Sequence, residues 1–233
     1  MTQAIDKGTS GTGWSRKALG ACLMVVATLL AACLMLAAQP AHAATNIVTK
    51  TFSNSGLILI PDGAVPGTVN TCDTGSTFGT AAPYPSEKSV SAFPSGSHIR
   101  DVNLTLKNYS HTYPRDVDVL LKKGTPNRTV MSDVGGTNPG VSNITLVLDD
   151  EAPNGPLTYE DAPSGGRYQP TNNDPDDEFP APAPTQDNRS ALSGFDTLNP
   201  NGTWKLFVHD DGGGDCGKFG GGWSLTIKAA VPA

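Results

Sequence analysis

An all-β fold, a jelly-roll β-sandwich of about eight to nine antiparallel strands, is predicted by three features of this sequence. Apolar and polar residues alternate with period two in one segment after another, the pattern of strands with one buried face. Clusters of Gly, Pro, Asn and Asp separate those segments as turns do. No window of ten or more residues carries a helical apolar stripe, and 26 Gly and 19 Pro in 233 residues oppose helices throughout. The length suits one domain of ordinary size.

Residues 1–43 read as a targeting segment. Lys7, Arg16 and Lys17 form a basic start, residues 18–38 an uncharged apolar run, and Gln39-Pro40-Ala41-His42-Ala43 ends in the small-x-small pattern of a bacterial-type signal peptide. Cleavage is expected between Ala43 and Ala44, giving a secreted or extracytoplasmic protein with no membrane attachment. Two other readings remain at this stage. The run is about 20 residues, long enough for an uncleaved anchor, and Leu30-Ala31-Ala32-Cys33 resembles a lipobox that would lipidate Cys33. Without Asp6, Lys7, Arg16 and Lys17 the remainder holds 13 basic and 21 acidic side chains. That balance argues against nucleic acid as a partner and suits an exported module that binds cations.

The remainder is expected to be one domain, with strands and loops of the sandwich over 44–96 and its core over 97–233. Strands are placed over 47–52 and 57–60. Val102, Leu104 and Leu106 face one way, and Asp101, Asn103, Thr105 and Lys107 the other. Val117, Val119 and Leu121 alternate with Asp116, Asp118 and Leu120, and a short strand follows over 129–132. Ile144, Leu146 and Leu148 form a further strand. Trp204, Leu206 and Val208 lie on one of the last strands, and Trp223, Leu225 and Ile227 on the other. Both tryptophans are read as core, since they alternate in register with Leu and Ile. On the same pattern His209 points outward into solvent.

Segment 151–190 resists this reading, with eight prolines and many Gly, Asp and Asn residues. It is either a long crossover laid over the sandwich or a binding loop carrying Tyr159, Arg167 and Tyr168, with Tyr113 as another surface candidate. Cys72 and Cys216, the two cysteines beyond the leader, are expected to form a disulfide in an oxidising compartment. Closing a loop of about 145 residues would stabilise by roughly 4–5 kcal/mol through lost chain entropy.

Three acidic groups point to calcium, which takes six to eight oxygen ligands. Asp116 and Asp118 stand two apart on one strand, which predicts both carboxylates on one face. Asp210, Asp211 and Asp215 crowd a Gly-rich turn. Asp149, Asp150 and Glu151 end a strand and are expected near Asp133. Carboxylates this close repel unless a cation or water answers them.

Several of these segments resemble the P domain, or Homo B domain, of subtilisin-like proprotein convertases. His111-Thr112-Tyr113-Pro114-Arg115-Asp116-Val117-Asp118-Val119-Leu120-Leu121 is similar to its HTxxxDLxxxL strand. Asn201-Gly202-Thr203-Trp204-Lys205-Leu206-Phe207-Val208-His209-Asp210 is similar to its GxWxLxVxD strand. Asp215-Cys216-Gly217-Lys218-Phe219 and Trp223-Ser224-Leu225 resemble its closing element. The resemblance covers about 97–227 and implies a jelly-roll accessory domain that stabilises a neighbouring protease and tunes its calcium and pH response. His111 would then hydrogen-bond at a strand start. No subtilase domain or motif accompanies it here.

The sequence shows no Gly-x-Ser-x-Gly elbow and no evident nucleophile–base–carboxylate set. The expected function is therefore a secreted, non-catalytic module stabilised by calcium, whose partner is a protein, a secreted protease in trans being the leading choice. A cell-surface or carbohydrate-binding jelly roll with a polysaccharide partner is the first alternative. A small secreted hydrolase using paired carboxylates is the second.

Overall fold

The computed structural model describes residues 45–61, 78–136 and 140–233. The chain separates into 1–43 and 44–233. The leader, the Ala43–Ala44 junction and Cys72 lie outside the described residues.

The described residues hold twelve strands and two short 3-10 turns. In chain order the strands are β1 (Thr45–Asn54), β2 (Ile58–Ile60), β3 (Gly79–Thr80), β4 (Ser86–Val90), β5 (His98–His111), β6 (Val117–Lys123), β7 (Asn127–Met131), β8 (Val141–Leu148), β9 (Gly166–Tyr168), β10 (Gly202–Asp210), β11 (Gly217–Phe219) and β12 (Trp223–Pro232). The 3-10 turns are Pro114–Asp116, before β6, and Leu192–Phe195. Eight strands have five residues or more; the other four are short pieces that extend the two sheets. The expected all-β sandwich is present.

In the seven-stranded sheet, 14-residue β5 is the spine. β12 and then β11 run along one of its edges and β8 along the other. β1 lies outside β12, β2 outside β11, and β9 joins β8 in parallel. The five-stranded sheet is built on β10, with β6 and then β7 on one side and β3 and β4 end to end on the other.

The core fills the space between the sheets because the period-two pattern puts one face of each strand there. Val102, Leu104, Leu106, Trp204, Leu206, Val208, Trp223, Leu225 and Ile227 are all buried in it. Buried indoles need acceptors for their N–H groups. Trp204 Nε1 donates to the Pro200 carbonyl at 3.2 Å, and Trp223 Nε1 to Ser86 Oγ at 2.9 Å. The second bond joins β12 of one sheet to β4 of the other. Ser86 Oγ also accepts from Asn54 Nδ2 at 3.1 Å.

Alternation fails on β6 and β7. Asp118 and Leu120, on the outer face of β6, are as buried as the core residues beside them, and so is Phe207 on β10. Segment 151–190 is the cause. Its first part adds β9 to the edge of β8 in the seven-stranded sheet, whereas 171–190, the strap, runs over the outer face of the five-stranded sheet and pairs with the edge of β7. Thr171 N donates to Val130 O at 3.0 Å, Thr129 N to Arg189 O at 3.1 Å, and Thr129 Oγ1 to Gln186 Oε1 at 2.7 Å. Arg128 pairs with Asp187, and Tyr84 Oη donates to Pro180 O at 2.8 Å above the Tyr84–Phe207 ring contact. The strap thereby covers an edge strand that would otherwise offer unpaired backbone groups.

The Ser86 bridge has a direct test. Ser86→Ala leaves a buried indole N–H without its acceptor and should lower stability by about 1–3 kcal/mol. Equilibrium urea unfolding with an unchanged m-value checks it.

Candidate metal centre

One end of the sandwich gathers Asp116, Asp118, Asp133, Asp177, Asp210, Asp211 and Asp215, because β5, β7 and β10 finish there and β6 and β11 start there. Two faces of that end differ. Facing inward, between the sheets, are His111 at the end of β5 and Asp210 at the end of β10. Both side chains are fully buried, with His111 Nε2 3.3 Å from Asp210 Oδ2. The ring's Nδ1 sits 2.9 Å from Tyr113 O. Asp210 Oδ1 accepts from Gly212 N at 3.3 Å. Beside this pair, Thr112 Oγ1 donates to Asp215 Oδ1 at 2.9 Å and accepts from Cys216 N at 3.0 Å. Cys216 is disulfide-bonded. The segments carrying the sequence resemblance therefore meet at this end.

Asp116 belongs to the Gly-rich turn. The turn's backbone closes on it: Asp211 N donates to Asp116 O at 3.0 Å, and a Cβ on Gly212 would fall 2.0 Å from Asp116 Oδ2. Burial, followed by the charges of Asp210, Asp211 and Asp215, pushes the Asp116 carboxyl up to about 7.

Facing outward, Asp118 of β6, Asp133 after β7 and Asp177 of the strap bring one carboxylate oxygen each within 4.8 Å of one another. Asp118 is 2% exposed, and its Oδ2 is buried with no hydrogen-bond partner. Ser132 Oγ, with one proton to give, lies within hydrogen-bond reach of both Asp177 and, at 3.2 Å, Asp133 Oδ2. Burial first, and then the charges of Asp177, Asp211 and Asp133, raise the Asp118 carboxyl well above the carboxylate range. Burial also lifts Asp177 to about 6 against the opposing Ser132 hydrogen bond. Asp211 is raised by burial and by Asp133 and Asp210. An orphaned buried oxygen beside two further carboxylates fits a divalent cation. The donor set is oxygen alone, which suits calcium rather than zinc.

The sequence expectations divide accordingly. Asp118 and Asp133 come together, but Asp116 does not share their face. It ends a 3-10 turn rather than lying on the strand, so its two-residue spacing from Asp118 does not follow strand geometry. Asp210 points inward to His111, and Asp215 binds Thr112. Asp149 is not grouped with Asp133 but with Asp101 and Glu151, where Arg167 Nη1 answers it at 2.7 Å. Asp150 caps the second 3-10 turn, accepting from Leu192 N at 2.8 Å and Ser193 N at 2.7 Å. His209 is half-buried on the outer face rather than solvated, and burial lowers its pKa.

The three residues expected in a binding loop each have contacts of their own. Tyr159 lies under the Arg115 guanidinium at 3.8 Å, Arg167 pairs with Asp149, and Tyr168 packs against the core with its hydroxyl 2.8 Å from Ser164 Oγ. Tyr113 is half-buried at the His111 turn. The residue that sequence reasoning missed is Asp177. Its only signal was the run Asn172-Asn173-Asp174-Pro175-Asp176-Asp177-Glu178 inside the proline-rich stretch.

No family model, curated protein or solved structure matches this chain. What fold and site define is a β-sandwich with an oxygen-lined acidic cluster at one end.

Two predictions follow from the charge arrangement. Asp118→Asn removes the cost of burying an acid that ionises freely in the unfolded chain, without changing shape. In chelator it should therefore stabilise by about 1–2 kcal/mol, or about 2–8 °C in melting temperature, while the rise produced by millimolar calcium disappears. Differential scanning calorimetry of both proteins in both buffers checks this. The second concerns pH. Asp116 and Asp177 have folded-state pKa values of about 7 and about 6 against an ordinary 3.8, so their contribution to stability is fully present below pH 3.8. It is lost as the pH rises through about 6–7. Without divalent cations the melting temperature should fall between pH 4 and 7, and calcium should flatten that fall.

Proposed function

We propose that this protein is a secreted, non-catalytic β-sandwich module, stabilised by calcium, that serves as an accessory or protein-binding domain for a secreted protease acting in trans. The observation that carries this reading is the Asp118–Asp133–Asp177 cluster with its orphaned buried oxygen, which would need a cation to be stable when ionised. The signal-like leader supports export, and the resemblance to the P domain of proprotein convertases supports an accessory role. The histidines are engaged in ways that suit structure. His98 Nδ1 lies 3.0 Å from the Thr197 carbonyl, and His111 is enclosed with Asp210.

The test adds the purified chain to proteases secreted by its host and follows their thermal inactivation. The expected result is protection of one protease in calcium, lost in EDTA, with no hydrolysis of casein or glycans by the chain alone. Hydrolysis by the chain that disappears in an Asp variant would replace this reading with the hydrolase.

One observation favours a second reading, a carbohydrate-binding protein. An open groove on the outside of the seven-stranded sheet is lined by Asn108, Ser110, Ser142, Asn143 and Lys218, polar groups of the kind that bind sugar hydroxyls. Retention on an insoluble polysaccharide, lost in Asn108→Ala, would support it.

A further inference from the structure

The three carboxylates of the candidate site come from two parts of the molecule. Asp118 and Asp133 belong to the five-stranded sheet and its β7 turn, whereas Asp177 belongs to the strap. The strap's two ends are secured by neutral hydrogen bonds and one ion pair. At the first end, Thr171 N donates to Val130 O at 3.0 Å, and Asn173 Nδ2 to Ser132 O at 3.2 Å and Asp133 O at 3.1 Å. At the second, Gln186 binds Thr129 and Asp187 pairs with Arg128. Between them, over 174–185, Asp177 is held through Ser132 and Pro180 through Tyr84, Gln186 Nε2 donates to the Pro175 and Asp177 carbonyls within the strap itself, and Thr185 O accepts from Asn127 Nδ2 at 3.2 Å beside the second end. Ionised Asp177 faces Asp118 and Asp133, so like-charge repulsion opposes the closed position of this middle stretch. Tyr84 and, beneath it, the buried outward-facing Phe207 and Leu120 lie on that side of the sheet.

We infer that a calcium ion between Asp118, Asp133 and Asp177 is a clasp that holds the middle of the strap against the five-stranded sheet, and that its removal releases 174–185 and uncovers the Tyr84–Phe207 face. The inference rests on the calcium reading above and adds to it a calcium-controlled exposure of one apolar face. Release leaves both sheets intact, because the strap's ends and the inter-sheet core use no metal. Calcium concentration, high outside cells, would thus set which surface the module shows.

A glutamate-specific protease tests this at the Glu178–Phe179 bond, with hydrogen exchange of peptides from 174–185 as a second readout. The whole chain is used, with calcium alone as the probe. Calcium should slow cleavage at Glu178 at least tenfold relative to EDTA, with cleavage at Glu160 as the reference. Asp177→Asn should be cut at one rate in both buffers, with exchange in β5 and β12 unchanged. Asp133→Asn serves as the second variant should the first fold poorly by circular dichroism. If calcium raises the melting temperature but leaves Glu178 cleavage and 174–185 exchange unchanged, the clasp is wrong and the calcium reading survives. If calcium neither binds by calorimetry nor shifts the melt, both fail.

Discussion

The outer face of β6 is a place where a strand that should be wet on one side is dry on both, and the chemistry of the molecule follows from that. An ordinary sandwich strand turns polar residues to water and leaves them solvated. Here the strap lies over that face, so Leu120 and Phe207 gain burial while Asp118 loses its water. Burying a carboxylate is costly unless it is paired, hydrogen-bonded or neutralised. Asp118 Oδ2 has no hydrogen-bond partner, and the charges of Asp177, Asp211 and Asp133 are all of its own sign, opposed only by a Ser132 hydrogen bond to the carboxyl group. Either protonation or a cation must answer it.

The inward half of the same end shows the contrasting solution. Asp210 is as buried as Asp118 and its Oδ2 also makes no hydrogen bond, yet the His111 ring lies 3.3 Å from that oxygen and the Gly212 amide donates to Oδ1. That contact joins β5 of one sheet to β10 of the other, and Thr112, Asp215 and Cys216 continue the joint along β11. Glycine is required where these segments meet. A Cβ on Gly217 would fall 2.1 Å from the Ser110 carbonyl, and one on Gly212 would enter the Asp116 carboxylate. Asp118 and Asp210 thus have opposite surroundings, because they lie on opposite faces of the five-stranded sheet and the strap covers only its outer face.

The sheets were legible in the sequence wherever one face is core and the other wet. β5, β10 and β12 show this directly, since Val102, Leu104 and Leu106, or Trp223, Leu225 and Ile227, mark the inner face by period alone. Legibility stopped where long-range cover changes the rule. Asp116 and Asp118 read as neighbours on one face, but the residue before the strand belongs to a 3-10 turn that Pro114 starts, and Asp116 does not join the Asp118 cluster. Asp177 lies 44 or more residues from the other members of its cluster in a stretch with no periodicity, so only the fold could bring it to Ser132. Asp150 read as a ligand from its neighbours Asp149 and Glu151, whereas its place is set by two backbone amides of a turn far along the chain.

Protonation and cation binding compete for the same oxygens, and pH decides between them. With Asp177 raised to about 6, and Asp118 raised well above the carboxylate range chiefly by burial, an acidic medium can protonate both and leave the strap closed without metal. At neutral pH Asp177 is ionised, and repulsion across less than 4.8 Å falls on the one residue that belongs to the strap. The sheet residues cannot yield, because Asp118 is fixed in the β6 ladder between β7 and β10. Asp177 can, because the stretch around it contributes no strand to either sheet. Strain from an unanswered charge is relieved at the least constrained partner, so the strap rather than the sandwich is the part that a missing cation would move.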